Sequence, residues 1–388
     1  MPAQSQSTIL ISGMIAADSF QGGATWAVLQ YLLGFQRLGH EVYFVEPVAE
    51  KALLPTGAPL AQTGNAAYFR QVMADFGFAQ TSALLLTGTQ QTVGLSYAHL
   101  REIASRADVL INISGMLTDE ALISRIPVRV YLDLDPAFNQ LWHAVEGIDM
   151  RFAGHTHFVT VGLNLGQPDC SAPTCGLNWI TTCQPVVLTQ WPVATHIDYD
   201  ALTTVANWRG YGSIRHEGIV YGQKAHSLRP LMALPTLTDE QFLLALAIHP
   251  RETADLAALQ ANGWRLLDPA QVTQTPAHYR RFIQGSKAEF GIAKSGYVAA
   301  RCGWFSDRSV CYLASGRPVL AQETGFSRYL PTGAGLLAFT TAADVLAGIE
   351  ALHCDYAGHA KAARALAEAY FDADKVLSRL LAQVGGSG

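Results

Sequence analysis

The sequence predicts an α/β protein built of two doubly wound domains that face each other across a cleft. Its 388 residues exceed the length at which one hydrophobic core keeps growing, so two domains are the starting expectation. Apolar runs of strand length alternate with helical patterns from residue 8 onward, and the alternation resumes in the second half of the chain. Strand–helix alternation of this kind produces parallel sheets joined by right-handed crossovers.

The first unit is an apolar strand at 8–14, a loop containing Gly22-Gly23, a helix over 24–38 and a second strand at 42–45. Val28, Leu29, Leu32, Leu33 and Leu38 form one face of that helix, and Gly39 is a natural stop. A helix at 67–76, a strand at 82–86, a helix at 97–105 and strands at 109–113 and 128–132 complete the first domain, set at residues 1–175. The Gly-, Pro-, Cys- and Asn-rich stretch 164–180 reads as the crossing. The second domain, 176–355, contains strands at 219–221, 242–248 and 290–293 and a helix near 253–262. Residues 301–326, RCGWFSDRSVCYLASGRPVLAQETGF, follow as a Gly-bearing loop, a helix at 309–315, a buried strand at 319–321 and a second small-residue loop. Helices at 341–352 and 358–382 close the chain, and residues 385–388 read as a flexible tail.

Nearly half of the residues are apolar and 15% are charged, the composition of a well-buried globular enzyme. The formal charge of −5 and the absence of a basic run predict no nucleic-acid partner. The apolar stretch 9–17 is short and meets Asp18, which predicts neither a signal peptide nor a membrane span. Six scattered cysteines without CxxC spacing read as free thiols of a cytoplasmic protein, not as a zinc site.

Residues 301–326 place two loops on neighbouring strand ends, and one loop opens a helix. Orphan backbone N–H groups and the positive end of a helix suit a diphosphate. Here the chain resembles the nucleotide-sugar glycosyltransferases of the GT-B type, which have two Rossmann-like domains. Cys302-Gly303-Trp304, Ser306 and Gly316-x-Pro318 are similar to the donor signature of the plant-type inverting enzymes. Pro318 to Gly325, PVLAQETG, is similar to the bacterial donor loop, and the Gly22-Gly23 loop and RLGHEVYFVE (37–46) fit that group's first domain. Arg301 stands where the plant-type signature has His. The Glu-x7-Glu pair of retaining enzymes is missing, with Gly303 and Cys311 in its places.

The resemblance implies sugar transfer from a UDP- or dTDP-sugar to a small-molecule acceptor, with inversion and without a cofactor or metal. The diphosphate is expected at Gly303, Ser306, Asp307, Arg308 and Ser309 and at Thr324-Gly325, with Glu323 on sugar or ribose hydroxyls. Lys294, His249 and Arg251 follow predicted strand ends and are further candidates for the nucleotide. Residues 284–287, with Tyr279 or Trp264, are candidates for the base. The general base is expected among Asp18, beside the Gly22-Gly23 phosphate loop, and Asp133 and Asp135, which alternation would turn to one side. His155, two residues from His157, is expected at the acceptor cleft. A metal there lacks companion ligands.

Three alternatives stay open: a nucleotide-sugar 2-epimerase or hydrolase on the same architecture, a dinucleotide-dependent oxidoreductase, and a non-catalytic binder. For the oxidoreductase, Glu46 at the end of strand two imitates the ribose-binding acid, although the Gly22-Gly23 loop lacks GxGxxG spacing.

Overall fold

The computed structural model describes residues 6–385, so the tail expected at 386–388 lies outside the described residues. The first sheet contains β1 (Thr8–Ser12), β2 (Glu41–Val48), β3 (Ser82–Leu86), β4 (Thr92–Gly94), β5 (Val109–Ile113), β6 (Val128–Asp133), β7 (His157–Thr160) and β8 (Trp179–Thr181). Their order is β4-β3-β2-β1-β5-β6-β7-β8, and only the β3–β4 pair is antiparallel. Helices α1 (Gly22–Arg37), α2 (Gly64–Asp75), α3 (Tyr97–Arg106), α4 (Glu120–Ile123) and α5 (Phe138–Ala144) connect the strands.

A second sheet, all parallel, is made of β9 (Tyr199–Asn207), β12 (Phe242–Ala247), β13 (Arg265–Leu267), β14 (Ser286–Gly291), β15 (Val319–Gln322) and β16 (Leu336–Phe339), in the order β13-β12-β9-β14-β15-β16. Its helices are α6 (Lys224–Leu228), α7 (Thr253–Ala261), α8 (Ala270–Thr273), α9 (Pro276–Gly285), α10 (Ser295–Ala300), α11 (Asp307–Ala314), α12 (Ala342–Cys354), α13 (Tyr356–Leu366) and α14 (Ala373–Gly385). The two-domain α/β architecture is the one the sequence predicts. In each sheet the first strand sits where the strand order reverses, β1 between β2 and β5 and β9 between β12 and β14. Crevices at such reversals, beyond the carboxyl ends of the strands, are where open α/β sheets bind ligands.

Four expectations about elements need correction. The first sheet takes up β8 at Trp179–Thr181, so the expected crossing at 164–180 still belongs to the first domain. The central strand β9 escaped the periodicity because Thr203 and Thr204 interrupt its apolar run. Both are buried, and the Thr203 hydroxyl is paired with Ser286 at 2.7 Å and Tyr312 at 2.6 Å, which removes the cost of burying it. The strand expected at 219–221 is β11 (Ile219–Tyr221), paired in a separate antiparallel hairpin with β10 (Ile214–His216). Finally, the long closing helix is broken by a π-helical turn at Ala367–Phe371, where the chain crosses back, and Gly385, expected in the tail, ends α14.

That return crossing runs beside the outgoing one. Val186 N–H donates to Phe371 O at 2.7 Å and Ala373 N–H to Val186 O at 2.9 Å. Helix α14 then lies on α1 of the first domain. Leu377 is fully buried over Gly34, where a Cβ would fall 2.4 Å from Leu377 Cδ1, and Arg37 pairs with Asp374 at 3.1 Å. One buried apolar cluster therefore contains residues of both domains, among them Ile11, Leu29, Trp191, Tyr279, Val310 and Leu377. No helix among the described residues is long and apolar enough to cross a membrane.

If α14 closes the structure through this seam, Leu377→Ala costs about 2–5 kcal/mol of unfolding free energy. Urea denaturation measures it. A loss below about 1 kcal/mol would mean that the helix end is loosely held.

Candidate active site

The loop after β1 is held by a buried carboxylate. Glu46, on β2, is fully buried and accepts the backbone N–H groups of Ile15 at 3.0 Å, Ala16 at 2.7 and 2.9 Å, and Ala17 at 2.7 Å. Burial pushes Glu46 up to about 7, and the three N–H donors oppose that shift. Asn65 Nδ2 and the Ser19 hydroxyl both donate to Ala16 O at 2.7 Å. Glu46 is thus a staple for its own domain. It is not a free ribose-binding acid, which removes the observation that favoured a dinucleotide cofactor.

The stapled loop delivers Asp18, Phe20, Gln21 and Gly22-Gly23 to the second domain. A Cβ on Gly22 would lie 2.4 Å from Thr275 O, and one on Gly23 would lie 2.9 Å from the Tyr279 ring. Glycine at both positions is what lets the N-terminus of α1 touch the other domain. Trp26 Nε1 donates to Pro276 O at 2.8 Å just beyond.

Opposite this helix end, the second domain presents Lys224 at the start of α6, and Asp307 and Arg308 at the start of α11. Arg308 is buried, with Nε on Glu289 Oε1 at 2.6 Å and Nη1 on Val205 O at 2.9 Å. Lys224 is half-buried and pairs with no carboxylate among the described residues. Burial, reinforced by the Arg308 and Lys294 charges, pushes its ammonium well below the usual lysine range. Asp18, Gly23, Lys224, Tyr279, Asp307 and Arg308 line a cavity of about 230 Å³. Burial raises both Asp18 and Asp307 above the usual carboxylate range. A larger cavity of about 680 Å³ adjoins it, walled by residues 246–248 at the end of β12, residues 266–270 at the end of β13 and just after it, and Phe20. Gln21 and Thr273 line both cavities.

Asp133 and Asp135 have different fates. Asp133 is fully buried and accepts Asn139 Nδ2 at 2.7 Å, Gln140 Nε2 at 2.8 Å, the Thr160 hydroxyl at 2.8 Å and Asp135 N–H at 3.0 Å. Burial pushes it up to about 6. With every lone pair engaged inside the first domain, it does not serve as the base. Asp135 reaches across to the second domain, where it accepts the Tyr211 hydroxyl at 2.7 Å, Lys294 Nζ at 2.9 and 3.1 Å, and the Tyr297 hydroxyl. The Lys294 ammonium also lies 4.3 Å from the Tyr211 ring centroid and 5.0 Å from those of Phe138 and Tyr297. Asp135 and Lys294 therefore neutralise each other in a latch between domains. One is not a free base and the other is not a free diphosphate cation.

The expected donor loops bind each other. Gly303 N–H donates to Thr324 O at 2.7 Å, the Thr324 hydroxyl donates to Trp304 O at 2.6 Å, and Gly325 N–H donates to Glu323. The 302–303 carbonyls take N–H groups of Asn164 at 3.0 Å and Leu163 at 3.3 Å, and a Cβ on Gly303 would lie 2.4 Å from Asn164 N. Gly303 thus lies in a seam with the first domain, and the N–H groups of Gly303, Glu323 and Gly325 are engaged by Thr324 O, Phe339 O and the Glu323 carboxylate. Ser306 caps α11 by accepting Arg308 N–H at 3.2 Å, and Ser309 is buried in the helix.

Other expected residues also lie elsewhere. His249 is exposed and accepts Arg251 N–H at 3.1 Å, and neither side chain lines the larger cavity that Ala247 and Ile248 border. Residues 284–287 span the start of β14 and so lie at the opposite end of the sheet. There Gln284 donates to Pro192 O at 3.0 Å and Lys287 pairs with Glu240 at 2.7 Å. Trp264 is core, donating to Met232 O at 2.7 Å. His155 is held within the first domain by Asn112 Nδ2 at 3.0 Å and Phe152 O at 3.3 Å. Among the described residues no group of three or more His, Cys, Asp or Glu is placed to hold a metal ion. Lys224 was not anticipated, and only its position after Gly222-Gln223 at a helix start marks it.

The fold is GT-B. An α-glucosyltransferase in complex with UDP-glucose and DNA containing an abasic site is similar over 97% of this chain and 98% of its own, with a TM-score of 0.58 and 11% identity. The Anabaena protein HepE in complex with UDP-glucose is similar over 98% and 100%, with a TM-score of 0.60 and 12% identity. A glycosyltransferase from Rickettsia africae is similar over 99% and 100%, with a TM-score of 0.53 and 10% identity. No family model and no curated protein sequence matches the chain. The expectation of no nucleic-acid partner is corrected here, because four of the similar structures are α-glucosyltransferase complexes with DNA. A whole-chain charge sum does not describe the local surface that meets an acceptor.

The latch has a measurable weight. Asp135→Ala leaves Lys294 and two tyrosine hydroxyls facing each other without their carboxylate, and is expected to cost about 2–4 kcal/mol. Chemical denaturation reads the loss. A cost under about 0.5 kcal/mol would mean that Asp135 is no more than a surface ion-pair partner.

Proposed function

We propose that this chain transfers a sugar from a nucleoside diphosphate donor to an acceptor nucleophile. The observation that carries the proposal is the cavity where Lys224, Arg308 and the N-termini of α1 and α11 converge, with a wider cavity beside it for the nucleoside. Helix N-termini and cations are suited to the charge that develops on a departing diphosphate. The ligands named for the similar structures, UDP and UDP-glucose, make UDP the first donor nucleotide to test, with dTDP second. Lys224, protonated when the diphosphate binds, supplies the positive charge beside the two helix N-termini, so the proposal needs neither cofactor nor metal. Six free thiols fit a reducing compartment such as the cytoplasm.

In the proposed step the acceptor oxygen attacks the anomeric carbon while its proton passes to Asp18. The bond from that carbon to the phosphate oxygen breaks, and the electron pair leaves with the diphosphate. Asp18 is the first-domain carboxylate on the cavity wall, and burial raises it above the usual carboxylate range, which makes it a stronger base. A nucleic-acid acceptor is compatible with this chemistry, since a hydroxyl is all that the step requires.

UDP added in the presence of EDTA is expected to raise the melting temperature, whereas NAD is not. Lys224→Met should weaken UDP about 10- to 100-fold, the worth of one charge-assisted contact. Because Lys224 is lowered in the free protein, a bound diphosphate draws a proton onto it. UDP affinity therefore falls as pH rises from that lowered value toward the ordinary lysine range. Calorimetry in buffers of different ionisation enthalpy should show proton uptake in the wild type and none in Lys224→Met. Uptake that persists in the variant would remove Lys224 from the site.

Asp18→Asn should lower turnover at least 100-fold, within the range of a general base, while UDP affinity stays within about threefold. A base on the acceptor side implies inversion, so the first product anomer from an α-linked donor should be β by NMR. An α product would remove Asp18 as base. Nucleotide release without an acceptor would favour the hydrolase or epimerase reading.

A further inference from the structure

Phe20 is backbone-strained, exposed and placed on the wall of the larger cavity. Its φ is +65°, a left-handed conformation that a bulky side chain rarely adopts and that persists only where the surroundings impose it. The Glu46 staple on residues 15–17 and the Ser19–Ala16 bond impose it here. The result is a phenyl ring 48% exposed, unlike the packed aromatics around it. Among the described residues only Tyr68 offers an aromatic ring close by, with centroids 5.0 Å apart and planes inclined at 57°. A strained backbone that turns an apolar ring toward a cavity has no packing rationale of its own.

The cavity supplies one. Across it stand the ends of β12 and β13, with Leu246, Ile248, Leu266, Leu267 and Pro269 on its wall. It shares Gln21 and Thr273 with the cavity of Lys224 and Arg308, so its occupant is what is covalently joined to a bound diphosphate. In a nucleoside diphosphate that group ends in a flat aromatic base, and aromatic side chains stack on bases of any sequence.

We infer that Phe20, carried on the first domain, stacks on the base of a donor whose remaining contacts come from the second domain. The presence of a base and the approach of the two domains are then read by one residue. The inference rests on the proposed donor site and adds to it a base-binding residue from the first domain.

The test compares UDP with inorganic pyrophosphate, which has no base, by calorimetry on the intact chain. Phe20→Ala should weaken UDP about tenfold or more and leave pyrophosphate within about twofold. Phe20→Tyr should retain the affinity for UDP. Phe20→Gly, which accepts the positive φ without strain, should melt at or above the wild-type temperature and yet bind UDP as weakly as Phe20→Ala. Equal losses for both ligands overturn the inference, since Phe20 would then act only by shaping the loop at the diphosphate. Unchanged UDP binding in Phe20→Ala overturns it as well. A wild type that binds pyrophosphate but no nucleoside diphosphate overturns the stacking role while leaving the anion site intact. A wild type that binds neither removes the donor site and this inference together.

Discussion

The bond set on which the cleft depends is the buried Glu46 carboxylate and the three successive N–H groups it accepts. A carboxylate loses most of its hydration on burial and must be repaid by donors in place. Ile15, Ala16 and Ala17 supply them only if the chain leaves β1 in one particular turn. That turn sends Asp18, Phe20 and Gln21 outward and starts α1 at Gly22. Everything the first domain brings to the two cavities hangs from this turn. The left-handed Phe20 has its cause there too, since a loop held at 15–17 and beginning a helix at 22 has few residues in which to reverse.

Each domain is incomplete at the cavities without the other. The smaller cavity takes Asp18 and Gly23 from the first domain and Lys224 and Arg308 from the second. Three seams hold these halves in register. The Asp135 latch ties the end of β6 to Tyr211, Lys294 and Tyr297. The 302–303 carbonyls bond to residues 163–164. Helix α14 returns to α1 over Gly34. Packed contacts of this kind fix distances between elements far apart in sequence, as a site assembled from two domains requires.

The architecture was legible because parallel α/β sheets write long apolar runs into their strands, as at Val109–Ile113 and Ser82–Leu86. The Gly22-Gly23 loop was legible for the same local reason, since only glycine suits so close an approach. What failed were inferences about which groups meet. Asp133 and Asp135 seemed to share a face by alternation, but β6 ends at Asp133 and alternation holds only within the strand. The loops at 303 and 324 were recognisable as loops, yet nothing in their residues shows that they bond to each other. Lys224 begins a five-residue helix after a hairpin insertion, where no periodicity marks a site. Glu46 was noticed as an acid at a strand end, and only its burial separates a staple from a ligand.

The charges around the smaller cavity decide what it can hold. Arg308 is matched by Glu289 and Lys294 by Asp135, so neither adds much net charge. Burial pushes Lys224 toward its neutral amine, and the same burial pushes Asp18 and Asp307 toward their neutral acids. An empty cavity of this kind need not hold uncompensated charge, which in a dry site would cost several kcal/mol per ion. An arriving diphosphate changes the balance, because it stabilises a protonated Lys224. The ammonium in turn favours the ionised form of Asp18, the form that can take the acceptor's proton. As the diphosphate departs, the ammonium opposite it stabilises the negative charge that develops. The cavity thus takes its charge state from its ligand, a behaviour that a site of fixed ion pairs would lack.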